Sequence, residues 1–302
     1  MKDKILRQIA NGLSANVQRL NSPGLLEGKT GVAVYLYHYA RYSGDTGYSR
    51  LADSLLSEIT TGISKRDISL STGLSGVGWG ISHLLKERLI EDEDDLLASL
   101  DAYLLRHIRE HTDEGMLDGC LYLMFAHPKP PDEPVMQVLA QQFSLLLSAA
   151  GYPLSVLNKL LAVASRMPDR HLDSWYDTLL RGAVQAIHTQ PYRRSDLMIC
   201  RDLLEAFPGP KDKQEWNALR DCCTSLLDAG ISYADYIETV WQNAVFLGGA
   251  STMRHDLNRI ATFVTGKLKD LTLRDLYLSA GLPAAGMDIL SQSFYYQSSG
   301  CK

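Results

Sequence analysis

The chain has 302 residues, 45% of them hydrophobic and 22% charged, with a formal net charge of −5. That is the composition of a globular protein with a sizeable core, and in a mildly negative chain without a long basic block nothing supports a nucleic-acid partner, so none is expected. The five cysteines include no Cys-x-x-Cys pair, which argues against a disulfide framework and for a reducing compartment.

Residues Met1 to Gln8 lack the apolar run of a secretory signal. The longest clean apolar run, Leu121 to Ala126, is far short of the ~20 residues that span a bilayer. The expectation is therefore a cytoplasmic protein with no membrane span. In chain order, Asp3 to Leu20 carries Ile5, Ile9, Leu13 and Val17 at i+4 spacing and reads as an amphipathic helix, stopped by Asn21-Ser22-Pro23-Gly24. Gly28 to Tyr42 is apolar nearly all round and reads as a buried helix. After the turn Ser43 to Gly47, a third helix sets Tyr48, Leu51, Leu55 and Ile59 against a polar face.

A fourth helix starts from Ser71-Thr72-Gly73-Leu74-Ser75-Gly76-Val77-Gly78-Trp79-Gly80 and runs to Leu85. Glycine in a helix costs about 1 kcal/mol against alanine, so four in ten residues point to a packing or backbone requirement. The stretch has relatives in the same chain. Gly28 and Gly31 match Gly73 and Gly76, and Gly281 and Gly286 match Gly73 and Gly78.

The alternation of amphipathic and apolar helices continues. Asp92 to Glu110, Pro134 to Ala149, His171 to His188, Lys213 to Leu227 and Met253 to Thr265 read as amphipathic, the last with Gly266 as its C-cap. Gly115 to Leu123, Pro153 to Met167, Asp196 to Phe207, Ser232 to Phe246 and Gly281 to Ser293 read as the apolar partners. Gly119 aligns with Gly76, and Ser232 with Asp235 forms a capping box. The whole is about fourteen helices in seven hairpins with a period of about forty residues.

The predicted fold class is all-α: an α/α toroid, a double ring of about seven hairpins forming a single domain over residues 1–302. A ring is preferred to an open solenoid because the terminal units, which a solenoid would face with polar surface, are among the best copies of the glycine motif.

The glycine stretches at 28–33, 73–78 and 281–286, with the turn and outer helix from Ser43, resemble the lanthionine synthetase C-like (LanC-like) family. The resemblance implies the α/α toroid. It also implies work on peptides, in which a catalytic zinc, held by a Cys in one late repeat and a Cys-His-Gly in the next, activates a peptide thiol. This chain contains no Cys-His-Gly, and Val240 to Gly249 has neither Cys nor His. Cys200 is the one cysteine near a ligand position, and Arg201 and Asp202 follow it. No ligand carries over, so neither zinc nor another cofactor is expected.

The leading expectation is a peptide-binding scaffold or partner of a peptide-modifying protein, a candidate pseudoenzyme whose catalytic residues are left unassigned and whose enzyme status is left open. Substrate contacts are expected at inner-helix starts, at Gly73, Gly76, Trp79, Asp118, Asp196 and Trp241. The alternative is a carbohydrate-active hydrolase on the same ring, using a carboxylate pair drawn from Glu27, Asp118, Asp196, Asp202 and Asp235. A third reading is a purely structural interaction protein. His38 and His83 occupy equivalent repeat positions and are read as repeated packing positions in preference to a functional pair. His127 and His255 read as a helix end and a solvated position, and Glu91 to Asp95 as acidic decoration of a helix N-terminus.

Overall fold

The computed structural model describes residues 1–62, 67–91, 97–126, 131–148, 151–167, 172–206, 214–227, 230–237, 239, 257–273 and 281–298. Among these the protein is all-α, without a strand. The helices are α1 (Lys2–Asn16), α2 (Lys29–Ser43), α3 (Thr46–Gly62), α4 (Leu74–Lys86), α5 (Ala98–Glu110), α6 (Glu114–Leu121), α7 (Glu133–Leu147), α8 (Leu154–Ala164), α9 (Leu172–Thr189), α10 (Arg194–Ala206) and α11 (Gln214–Leu227). They are followed by α12 (233–237), α13 (Leu257–Leu273) and α14 (Gly281–Ser298).

The chain divides into two compact units, one of residues 1–97 and 250–302 and the other of residues 98–249. In the first unit, α14, α2 and α4 pack in succession, and α13, α1 and α3 form a second row beside them. Within this unit, helices from the two ends of the sequence therefore lie side by side. Gly12 of α1 faces Leu268 of α13 so closely that a methyl group there would strike its side chain. Tyr35 of α2 is fully buried and donates to the Leu6 carbonyl of α1 at 2.8 Å. Its ring lies where a Cβ on Gly286 of α14 would stand.

The second unit repeats the scheme. Helices α6, α8 and α10 pack in succession, as do α5, α7, α9 and α11, and the two rows are joined at α5–α6, α8–α9 and α10–α11. Its core is aromatic as well as aliphatic: Trp216 is buried edge-on to Tyr176 and donates its indole N–H to the Leu204 carbonyl at 3.2 Å.

Burial follows the sequence pattern. Every residue from Lys29 to Ala40 of α2 is buried, whereas α1 buries the stripe Ile5, Leu6, Ile9, Ala10 and Leu13. Asp132 caps α7 by accepting from the Val135 N–H, with Pro134 in the first turn. Ser232 and Asp235 cap each other reciprocally: each backbone N–H donates to the other's side chain at 3.1 Å.

One expectation is corrected. Gly266 does not end a helix; α13 runs through it to Leu273. It has no positive φ and open space around its Cα. A C-capping glycine is recognised by a left-handed backbone, as at Gly44, whose φ of 74° closes α2. At Gly266 the helical pattern simply continues through a residue with poor propensity.

Candidate functional site

The glycine loops come first because they govern the starts of α2 and α4. The Gly24, Leu25 and Leu26 N–H groups donate to the Thr72, Leu70 and Ser71 carbonyls at 3.0, 3.2 and 3.1 Å. The two loops thus pair backbone to backbone. Each also folds onto its own helix start in the same way, 45 residues apart. Lys29 N–H donates to Ser22 O at 2.9 Å, and Leu74 N–H to Asp67 O at 3.0 Å. Thr30 N–H donates to Pro23 O at 3.2 Å, and Ser75 N–H to Ile68 O at 3.4 Å. A methyl at Gly31 would run into the Leu25 carbonyl oxygen, and one at Gly76 into that of Leu70. Glycine is required here because backbone lies where a Cβ would be. The first N–H groups of a helix, which elsewhere await a ligand, are already used. Gly73 is the N-cap of α4 and, like Gly76, sits inside this crossing.

Trp79 lies one turn along α4 with its ring stacked on His83, centroids 5.1 Å apart and planes within 5°. His83 Nε2 stands 2.8 Å from His38 Nε2. Arg41, ion-paired to Glu87 at 2.9 Å, reaches His38 Nδ1 at 3.2 Å. A guanidinium only donates, so His38 Nδ1 accepts, its Nε2 carries the proton, and His83 Nε2 accepts in turn. Burial drives the His38 pKa down to about 3, with His83 and Arg41 adding to the effect, and burial also lowers that of His83. The pair is neutral at pH 7. The lone pairs on His38 Nδ1 and His83 Nε2 are both occupied, so neither serves as a base or metal ligand. The repeated histidine positions meet each other, as packed and hydrogen-bonded rings.

In the second unit, Asp118 of α6 is 3% exposed and faces Lys159 of α8, with 2.8 Å between Oδ1 and Nζ. Glu114, one turn earlier, also lies 2.8 Å from Lys159 Nζ. Burial alone would lower the Lys159 pKa, but the two carboxylates outweigh it and hold the ammonium above its ordinary value. Asp196 caps the start of α10, its side chain accepting from Arg193 N–H at 3.0 Å while its carbonyl accepts from Asn158 at 2.8 Å. Asp202 pairs with Arg201 at 2.8 Å and Glu27 is exposed.

The structure thus places Gly73, Gly76 and Trp79 in one unit and Asp118 and Asp196 in the other. Trp241, His127, His255, Cys301 and residues 92–95 lie outside the described residues, as do the side chains of Tyr295 and Tyr296. Two features were missed. The Lys159 partnership needed the α6–α8 contact to be visible. A groove of about 360 Å³ between α8 and α9, edged by Tyr152, Arg181, Gln185 and Gln190, is assembled from helix ends with no motif of their own.

Cys200 is the cysteine nearest a ligand position of the zinc that the family resemblance implies. It is 1% exposed on α10, and the hydrogen bond with Cys223, followed by burial, pushes its thiol pKa up. Zinc binds thiolate, so both effects oppose ligation. The void beside it is about 10 Å³, walled by Leu157, Leu161, Leu180 and Leu219, which is barely room for one water. No group of three His, Cys, Asp or Glu donors includes Cys200 among the described residues. Among the described residues, those around Cys200 do not fit the metal.

Among the described residues no helix is long and apolar enough to cross a membrane. Residues 3–128 match the model of the family described as lanthionine synthetase C-like protein. No curated protein and no solved structure matches the chain.

Proposed function

Since the chain is LanC-like over residues 3–128, we propose that it serves peptide modification as a peptide-binding scaffold or partner, with the family's thiol-activating zinc lost. The observation that carries the loss is Cys200: an inaccessible thiol, paired to Cys223 and walled by leucines, in a chain without Cys-His-Gly. Without a metal to hold a thiolate at neutral pH, the family's addition of a peptide cysteine to a dehydrated residue has no activated nucleophile. What remains is binding. The groove between α8 and α9 has the volume of a ligand pocket and offers aromatic, cationic and amide edges to a peptide chain.

No observation favours the hydrolase reading. Asp118 and Asp202 are ion-paired, and Asp196 and Asp235 cap helices. A hydrolytic pair needs two carboxyls facing one gap with separated pKa values.

The test uses a peptide carrying one cysteine and one dehydroalanine. The expected result is saturable binding to the purified chain, with the free-thiol content of the peptide falling no faster than without protein. Accelerated thioether formation, absence of binding, or a bound zinc that disappears in Cys200→Ser would overturn the proposal.

A further inference from the structure

The connection between α5 and α6 is three residues long: His111, Thr112 and Asp113. His107 lies in the last turn of α5, and the His111 N–H donates to the His107 carbonyl at 2.9 Å. The two imidazoles therefore share one face at i, i+4 spacing, with centroids 4.1 Å apart. Asp113 is the N-cap of α6, its Oδ1 accepting from the Met116 N–H at 2.9 Å. One ligand atom from each of His107, His111 and Asp113 lies within 4.8 Å of the other two.

The geometry points to a divalent transition-metal site of the zinc class, held by His107, His111 and Asp113, that pins the α5–α6 corner. The site stands on its own geometry and not on the peptide-scaffold reading. Three features support it. First, His107 Nε2 is buried with no hydrogen-bond partner, and the Asp113 Oδ1 is 3.7 Å away, beyond hydrogen-bond reach. A buried polar nitrogen is ordinarily satisfied, and a metal ion would satisfy this one.

Second, the backbone of the corner is already fixed. Thr112 donates to the Gln142 side-chain carbonyl at 3.0 Å, and the Gln142 amide donates to the Arg109 carbonyl at 3.3 Å. Tetrahedral zinc with bonds near 2.0–2.1 Å sets its donors about 3.4 Å apart. The three donor atoms already lie within 4.8 Å of one another, close to that spacing.

Third, the donor set is right. Two imidazoles and a carboxylate suit Zn²⁺, Co²⁺ or Ni²⁺ better than Mg²⁺ or Ca²⁺. The carbonyl end of α5 favours a cation, and the Asp113 carboxylate stands between that cation and the positive start of α6. His111 and Asp113 are exposed, so a fourth position is left to water, and neither Cys200 nor Cys223 takes part.

The full-length chain, stripped by chelator, is titrated with zinc chloride by calorimetry and loaded with Co²⁺ for visible absorption. One equivalent of zinc is expected, with a rise in the melting temperature and the strong absorption of tetrahedral Co²⁺. His111→Gln removes an exposed donor and should weaken zinc binding at least tenfold without changing the metal-free melting temperature. Asp113→Asn keeps a good N-cap and should weaken zinc similarly. Cys200→Ser should bind as the parent does. No zinc uptake by the parent, uptake unchanged in both His111→Gln and Asp113→Asn, or uptake lost in Cys200→Ser would overturn the assignment.

Discussion

The starts of α2 and α4 and the starts of α6 and α10 do the same job by different means. At α2 and α4 the loop backbone itself closes the helix end, and glycine is the residue that lets it approach. At α6 and α10 aspartates supply the cap, and the space between neighbouring helices is filled by the Asp118–Lys159 pair and by Asn158 reaching the Asp196 carbonyl. Gly119, aligned by sequence with Gly76, meets only the Ile108 side chain at 3.2 Å. One repeat has thus two solutions to the four unpaired N–H groups of a helix start. The backbone solution is rigid and legible. The side-chain solution places no demand for glycine on the helix start.

The largest effect that would sharpen this contrast is expected at Lys159. Lys159→Met leaves Asp118 buried without its cation and should cost about 4 kcal/mol in denaturant unfolding. The double variant Asp118→Leu with Lys159→Met should recover most of that. If the single change is harmless, the ion pair is not what fills the α6–α8 contact. Next comes Gly76→Ala, which drives a methyl into the Leu70 carbonyl and the Leu25 N–H and should cost about 3 kcal/mol. Gly119→Ala faces a movable side chain and gains helix propensity, so it should lie near zero. Equal effects at the two glycines would break the comparison.

The histidine pair gives a pH signature. His38 titrates at about 3 when folded against an ordinary 6.5. The unfolded chain therefore binds the extra proton first as the pH falls, and stability present above pH 6.5 is lost below it. From pH 6.5 to 5 the loss should be about 2 kcal/mol, read as a falling urea midpoint. It should flatten in the double variant His38→Gln with His83→Gln. The smallest effect is at Gly266, inside α13 with open space around it. Gly266→Ala should stabilise by up to about 1 kcal/mol, whereas the same change at Gly44, where φ is 74°, should destabilise.

Much of the fold was legible because helix periodicity is a local property. The stripe Ile5-Ile9-Leu13 and the all-apolar run from Val32 to Ala40 name a half-buried and a fully buried helix before any contact is known, and both are found so. Gly266 misled because glycine serves equally as a helix end or as a weak interior residue, and only φ separates the two. The candidate site was less legible. Gly73 and Gly76 were marked as special, but their partner, the loop around Leu25 and Leu70, is remote in sequence. His107, His111 and Asp113 fall at the seam between an amphipathic helix and the next cap, where no periodicity singles them out.

Alone, the amino-acid sequence determined the class of structure, the repeat length, the glycines that matter and the absence of a Cys-His-Gly, because each is written in residue type and spacing. Only the tertiary structure decided which groups face one another: His38 with His83, Asp118 with Lys159, Cys200 with Cys223 and His107 with Asp113. Side-chain chemistry depends on distance and burial, and these are set where helices far apart in the chain come together.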